Sequence, residues 1–363
     1  MSARIHVMMG DGGVGKTTLA AAYALALAER GRRVALLGID PARRLQSALG
    51  LSLEEGVARV PIAQTGRAGD LHAALLLPEA TLRRWAAEGI HDPGERERLL
   101  QNRLFAVLAD RLAATTDVIA AVRIAEWLES DPSLTDFVVD TSPGRNGVEF
   151  LARPGALVEL MHGRLLGWLR RAHDPSPLAR RILVGLSHIG GIEMLGELGE
   201  LATAVQRPFR RVVDRLERAQ AALRDPATEI LLVTAVREDA VASATALRIA
   251  LTDVGLAPSA VVVNRALPAP LGVEVERMDE TSLAPDAAAL VRYLRAYGEI
   301  QARVQVGARA LAPVVFALPA ASGLDGDARL ARLAELGARL CEEIEPQAER
   351  ARATPAISET RIV

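Results

Sequence analysis

Along this chain the apolar residues gather in two ways. One is the short unbroken run that closes on a polar or turn-forming residue. "RIHVMM" precedes Gly10, residues 33 to 39 precede Asp40, and residues 137 to 139 precede Asp140. "TEILLVTAV" (228 to 236), "SAVVVNRALP" (259 to 268) and "APVVFALPAASGL" follow the same pattern. Runs of this length without polar alternation predict buried parallel strands. The other is the longer alanine- and leucine-rich stretch: "TTLAAAYALALAERG", closing at Gly31, and "EDAVASATALRIALTDVGL". These predict helices. Strands alternating with helices predict an α/β fold built on a mainly parallel sheet. Residues 78 to 130 and 150 to 225 break the alternation and read as mostly helical, with segments such as "GERERLLQNRLFAVLADRLA" and "ALVELMHGRLLGWLRRAH". The expected organisation is one α/β domain over 1–345, carrying a helical subdomain made from those two stretches. The polar end, 346–363, is expected to be a flexible tail.

Between the first strand and the first helix lies "GDGGVGKTT", positions 10 to 18. It matches G-x-x-x-x-G-K-[ST] in the strand–loop–helix setting that the pattern requires. Glycines let the backbone wrap a phosphate with its N–H groups turned inward, and the helix start adds partial positive charge. Gly12, Gly13, Val14, Gly15, Lys16, Thr17 and Thr18 are therefore the expected phosphate cradle. Lys16 is expected to reach the β- and γ-phosphates of ATP or ADP, and the Thr17 hydroxyl to bind Mg²⁺. Lys16 is also the only lysine in 363 residues, although arginine is abundant. A GC-rich genome accounts for the arginine. The one lysine retained stands where a compact ammonium has a task that a planar guanidinium does not perform.

Two carboxylates end strands. Asp40 follows the second run, where open α/β sheets bind ligands, and is read as orienting the attacking water and touching the metal shell. Asp-Pro is also a common turn opener. Asp140, followed by Thr-Ser-Pro-Gly, is placed as a Walker B acid that holds Mg²⁺, with Ser142 to Asn146 as a γ-phosphate-sensing switch. Asn264-Arg265-Ala266-Leu267 falls where many GTPases carry Asn-Lys-x-Asp. Leu267 takes the place of the guanine-pairing aspartate, so adenine is the expected base, with Asn264 and Arg265 on one side and Leu318 and Pro319 on the other.

Composition narrows the alternatives. A formal net charge of −2 gives no electrostatic footprint for nucleic acid, and 3% aromatics leave little for base stacking. The single cysteine, Cys341, excludes an intrachain disulfide and any multi-cysteine zinc site within one chain, and fits a reducing cytoplasm. No signal peptide is visible, and no apolar stretch is long enough to span a bilayer.

Taken in order, these motifs resemble the ArsA-like ATPases, which comprise arsenical-pump and tail-anchored-protein targeting enzymes and belong with MinD and ParA in the deviant-Walker-A group. "GDGGVGKTT" is similar to their GKGGVGKTT, "IDPARRLQSALG" to their switch I, "VVDTSPGRNGVEFL" to their switch II and "VVVNRALP" to their adenine-loop strand. A bacterial branch of paralogue pairs, in which one member lacks the first lysine, is more similar still. The resemblance implies Mg²⁺-dependent ATP hydrolysis in a dimer that switches with nucleotide state and acts on a protein client or a membrane-associated partner. Asp11 stands where the group's trans-acting lysine would be. That implies a heterodimer with a lysine-bearing paralogue, or a trans arginine such as Arg43 or Arg145. One cysteine cannot build the arsenite pump's three-cysteine site. Two other readings remain open: a ParA/MinD-like spatial organiser, and an ATP-dependent small-molecule enzyme on the same scaffold.

Overall fold

The computed structural model describes residues 3–40, 44–53, 57–62, 69–88, 90, 92–101, 116–160, 211–321 and 328–353. Arg43, and residues 102–115 and 161–210 of the two stretches expected to be helical, lie outside them. The chain divides into two units. One takes Met1–Leu75, Ser133–Gly144 and Glu229–Val363, and the other takes Leu76–Pro132 and Arg145–Thr228.

The first unit is built on an eight-stranded sheet. Its strands are β1 (Arg4–Gly10), β2 (Arg33–Gly38), β3 (Val57–Arg59), β4 (Asp70–Leu75), β5 (Asp136–Asp140), β6 (Glu229–Ala235), β7 (Ala260–Ala266) and β8 (Val314–Pro319), in the order β3-β4-β2-β5-β1-β6-β7-β8. Every pairing is parallel except β3 with β4. The alternation of strand and helix thus yields the α/β, mainly parallel sheet expected of it. Strands β5 and β6 have no exposed or half-exposed position, because both of their faces are covered. At the edges β3 is only three residues long and β8 alternates buried and half-buried positions, which limits the exposed ladder.

Helix α1 (Lys16–Glu29) is buried almost all round. Its alanines allow α11 (Arg329–Ala353) to approach closely: a Cβ on Gly337 would lie 1.9 Å from the Ala22 carbonyl oxygen. Short side chains and a glycine here bring two backbones nearer than larger residues permit. The helix α11 continues past residue 345, where the sequence pattern ended the domain, and runs to Ala353. Strands β3 and β4 have no counterpart in the sequence reading. "DLHAAL" lacks β-branched residues, and "VAR" is too short to carry a period.

The remaining helices of this unit are α2 (Arg44–Leu49), α8 (Ala240–Asp253), α9 (Ala269–Arg277) and α10 (Pro285–Ala308). The second unit, among its described residues, is helical: α3 (Pro78–Ala87), α4 (Pro93–Gln101), α5 (Thr116–Ser130), α6 (Arg145–Leu160) and α7 (211–223). Buried Glu126 on α5 binds Arg84, Arg123 and the Trp85 indole N–H, so a buried carboxylate is matched by several donors. Arg215 bridges Glu88 and Glu129.

Candidate active site

Three adjacent interior strands finish side by side at their C-terminal ends. In register, Met8 of β1 and Gly38 of β2 both lie opposite Asp140 of β5. Backbone bonds lock the arrangement. Ile39 N–H donates to the Asp140 carbonyl (2.9 Å), Gly144 N–H to the Gly10 carbonyl (2.9 Å), and the Thr141 hydroxyl to the Met8 carbonyl (2.8 Å).

The turn that leaves β1 ends at Gly15, which holds φ 97°, ψ 18° as the residue before α1. A Cβ there would stand 2.3 Å from the Asn264 amide nitrogen. Both the left-handed backbone and the close neighbour require glycine. Lys16 opens α1 and is buried, with its Nζ donating 2.8 Å to the Asp11 carbonyl. Burial lowers the ammonium below the usual lysine range, against the opposing pull of Asp140 and Asp40. The turn's own backbone holds the ammonium folded back over the loop.

Asp140 is 2% exposed. Burial pushes its carboxyl up to about 6, against a hydrogen bond from Thr17 and the charge of Lys16, with Asp40 adding repulsion and Arg44 opposing it. Oδ1 of Asp140 is buried and receives no hydrogen bond among the described residues. An acceptor left open at this depth is costly unless a further ligand uses it. A hydroxyl and a carboxylate with a vacant oxygen lone pair form an oxygen donor set of the kind Mg²⁺ takes. The residues therefore fit that ion. Asp40 is partly exposed and pairs with Arg44 at 3.4 Å.

A cavity of about 440 Å³ opens beside the turn. Gly13, Gly15, Lys16, Thr17 and Thr18 form one wall, Arg44, Ser47 and Ala48 of α2 another, and Arg265 and Leu333 complete it. Three cations therefore face a space large enough for a nucleotide. Arg265 reaches it through an unusual backbone. It is the one non-glycine residue with positive φ (60°) among the described residues. Its N–H donates to Asn264 Oδ1 (2.9 Å), and its carbonyl accepts from the Tyr297 hydroxyl (2.5 Å). Next to it, Gln301 accepts from Leu267 N–H at 2.6 Å. The strain is held by neighbours on both sides.

Of the residues singled out from sequence, the structure gathers Gly13, Gly15, Lys16, Thr17, Thr18 and Arg265 on the cavity wall and places Asp40 and Asp140 at the adjoining strand ends. Gly12 lies exposed on the turn. Val14 is buried and contributes its carbonyl, which accepts 2.8 Å from Asn264 Nδ2. Asn264 thus joins the phosphate turn to β7 and does not line the cavity. Leu318 belongs to the core, and Pro319, at the end of β8, is also off the wall. Arg145 and Asn146 are exposed at the start of α6, in the other unit. Sequence reasoning missed Arg44, Ser47 and Leu333. Arg44 follows the strand-end acid by four positions, which is a usable signal; Leu333 comes from the far end of the chain and has none.

A glycine turn between parallel strand and buried helix, with strand-end acids beside it, defines a P-loop nucleoside triphosphatase. Residues 3–280 match the ArsA ATPase family, described as anion-transporting ATPase, and the chain belongs to that family. It is 31% identical over 156 residues to an arsenical pump-driving ATPase of Escherichia coli and 32% identical over 152 residues to one of Acidiphilium multivorum. Each match covers 40% of this chain, which spans only 25% of either relative's length. An uncharacterized protein of Streptomyces coelicolor is 29% identical over 287 residues, covering 73% of this chain and 63% of that protein. Among the described residues no helix is long and apolar enough to cross a membrane.

Proposed function

We propose that the chain hydrolyses ATP with Mg²⁺ and uses the cycle as a dimeric switch. The switch acts on a protein client or a membrane-associated partner and pairs with a paralogous subunit that carries the lysine missing at position 11. The observation that carries the catalytic part is the buried, open Oδ1 of Asp140, whose carboxylate is bonded to Thr17 directly after Lys16. Magnesium, when bound, supplies neutralising charge at the β- and γ-phosphates.

The chain's own groups do the rest. Backbone N–H groups from Gly12 to Thr18 cradle phosphate oxygens. Lys16 leaves the Asp11 carbonyl and turns to the β- and γ-phosphates. Thr17 and Asp140 hold the metal, and Asp40 orients the water. Arg44 and Arg265 add positive charge along the cavity.

The names of the pump relatives describe those proteins. This chain has one cysteine, Cys341, and it is buried. Arsenite is therefore a poor candidate for its effector.

Lys16→Ala is expected to abolish tight ATP·Mg²⁺ binding in an equilibrium titration, a loss of at least about a hundredfold from removing a buried charged donor to phosphate. Unchanged affinity would overturn the assignment. For the paired subunit, purification from the native host should recover a second, lysine-bearing member of the family. A strictly homodimeric native protein with full ATPase activity would refute that part alone.

A further inference from the structure

We propose that Arg237 is a phosphate-binding residue of this site, supplied within the same chain from the loop after β6, beside Asp11 of the phosphate turn. The proposal rests on the nucleotide reading above and names a residue that reading does not use.

The carbonyl of Asp11 accepts from Lys16 Nζ, so residue 11 stands where the lysine's tip lies. Its side chain turns toward the loop after β5: a Cβ on Gly144 would be 3.7 Å from Asp11 Oδ1. A carboxylate thus belongs to the residue that holds the tip of Lys16, the group that on the proposed function turns to the β- and γ-phosphates, and its charge would oppose them. Among the described residues the side chain within ion-pair distance of it is Arg237, with Nη2 4.0 Å from Asp11 Oδ2. The sheet explains the meeting. Strand β6 pairs with β1 up to Val233 opposite Gly10, so the loop that follows β6 emerges next to the turn that follows β1.

The guanidinium is placed to move. Its side chain is 41% exposed, its contact with Asp11 is longer than a hydrogen bond, and its closer partner is Asp239 in the same loop (3.1 and 3.2 Å). A terminal phosphate is a stronger, bidentate acceptor for a guanidinium than a carboxylate at 4.0 Å. On triphosphate binding Arg237 shifts from Asp11 to the outermost phosphate. Standing between that phosphate and the Asp11 carboxylate, it screens their repulsion and adds a cation that a diphosphate does not reach. Arg237 therefore discriminates ATP from ADP.

The test is a fluorescence titration of the full chain with ribose-labelled ATP and ADP in the presence of Mg²⁺. Arg237→Gln should weaken ATP about tenfold and ADP less than about threefold, the scale of one charge-assisted phosphate contact. Arg237→Lys should retain part of the difference. In an Asp11→Asn background, Arg237→Gln should still weaken ATP about tenfold. The proposal is overturned if the double variant binds ATP as Asp11→Asn does, because Arg237 would then only neutralise Asp11. It is equally overturned if ATP and ADP weaken together. Lys16→Ala separates the two levels: if it abolishes binding while Arg237→Gln is silent, this inference fails and the nucleotide site stands.

Discussion

Asn264 shows how one side chain can tie together two parts of a site. Its amide donates to the Val14 carbonyl and accepts from Arg265 N–H, so both ends are used, and the residue is buried. That clamp fixes the phosphate turn against β7 and sets Arg265 in its left-handed backbone. Asn264→Asp keeps the shape but replaces the donor with a charge facing a carbonyl. The expected cost is about 1–3 kcal/mol of stability, the range for a buried polar group left unsatisfied. Nucleotide affinity should fall with it, since the turn loses its brace. Urea unfolding and titration on the same preparation check both effects. A variant as stable as the parent would show the amide to be dispensable. From sequence alone Asn264 reads as a contact to the base edge; its bond to Val14 is not legible there, because the motif marks the position but not the protein partner. Val14 lies 250 positions away. Gly15 and Lys16 were legible because the motif is local: strand, turn and helix are contiguous, so backbone geometry and chemistry are written in the same few letters. Arg237 was not, since it meets Asp11 only through the pairing of β1 with β6.

At the scale of elements, β1, β5 and β6 share a buried polar cluster toward their N-terminal ends, away from the phosphate turn. His6 Nδ1 is 2.8 Å from Glu229 and Nε2 is 3.0 Å from Asp136. The ring meets Tyr23 of α1 edge-on, and Arg4 and Arg32 flank Asp136. Burial alone would lower the imidazolium, yet the bonds to Asp136 and Glu229 outweigh it and push His6 up to about 9. Burial pushes Asp136 up, but His6 and Arg32 hold its carboxyl below the usual range. The folded state therefore keeps a proton on His6 that the unfolded chain releases near pH 6.5. The resulting stabilisation, on the order of 3 kcal/mol, is fully present below that pH and is lost as pH rises through about 9. Unfolding midpoints measured from pH 6 to 10 should decline across that interval, and His6→Gln should flatten the decline. A parent profile that is flat from pH 6.5 to 9.5 would contradict this. The apolar runs marked these three strands plainly. They gave no sign that one histidine links the three of them, because a lone His in a strand is silent about what lies on the neighbouring strands.

For the molecule as a whole, the decisive feature is where the chain passes between its two units. The first unit ends one of its segments at Gly144, and the second resumes at Arg145, the first residue of α6. That crossing lies four residues beyond Asp140, and its last residue in the sheet unit, Gly144, is bonded to Gly10 of the phosphate turn. On the proposed function, a change in that bond or in the Asp140 loop would have a short backbone route to the first residue of α6. If that loop senses phosphate as proposed, this connection is where a nucleotide would bias the helical unit. Hydrogen exchange measured with ATP·Mg²⁺ and with ADP should differ over residues 145–151 as well as over the phosphate turn. Lys16→Ala should erase both differences. If the nucleotide-dependent change stops at Gly144, the second unit does not respond through this route, and a switch acting on a client would need another path out of the sheet.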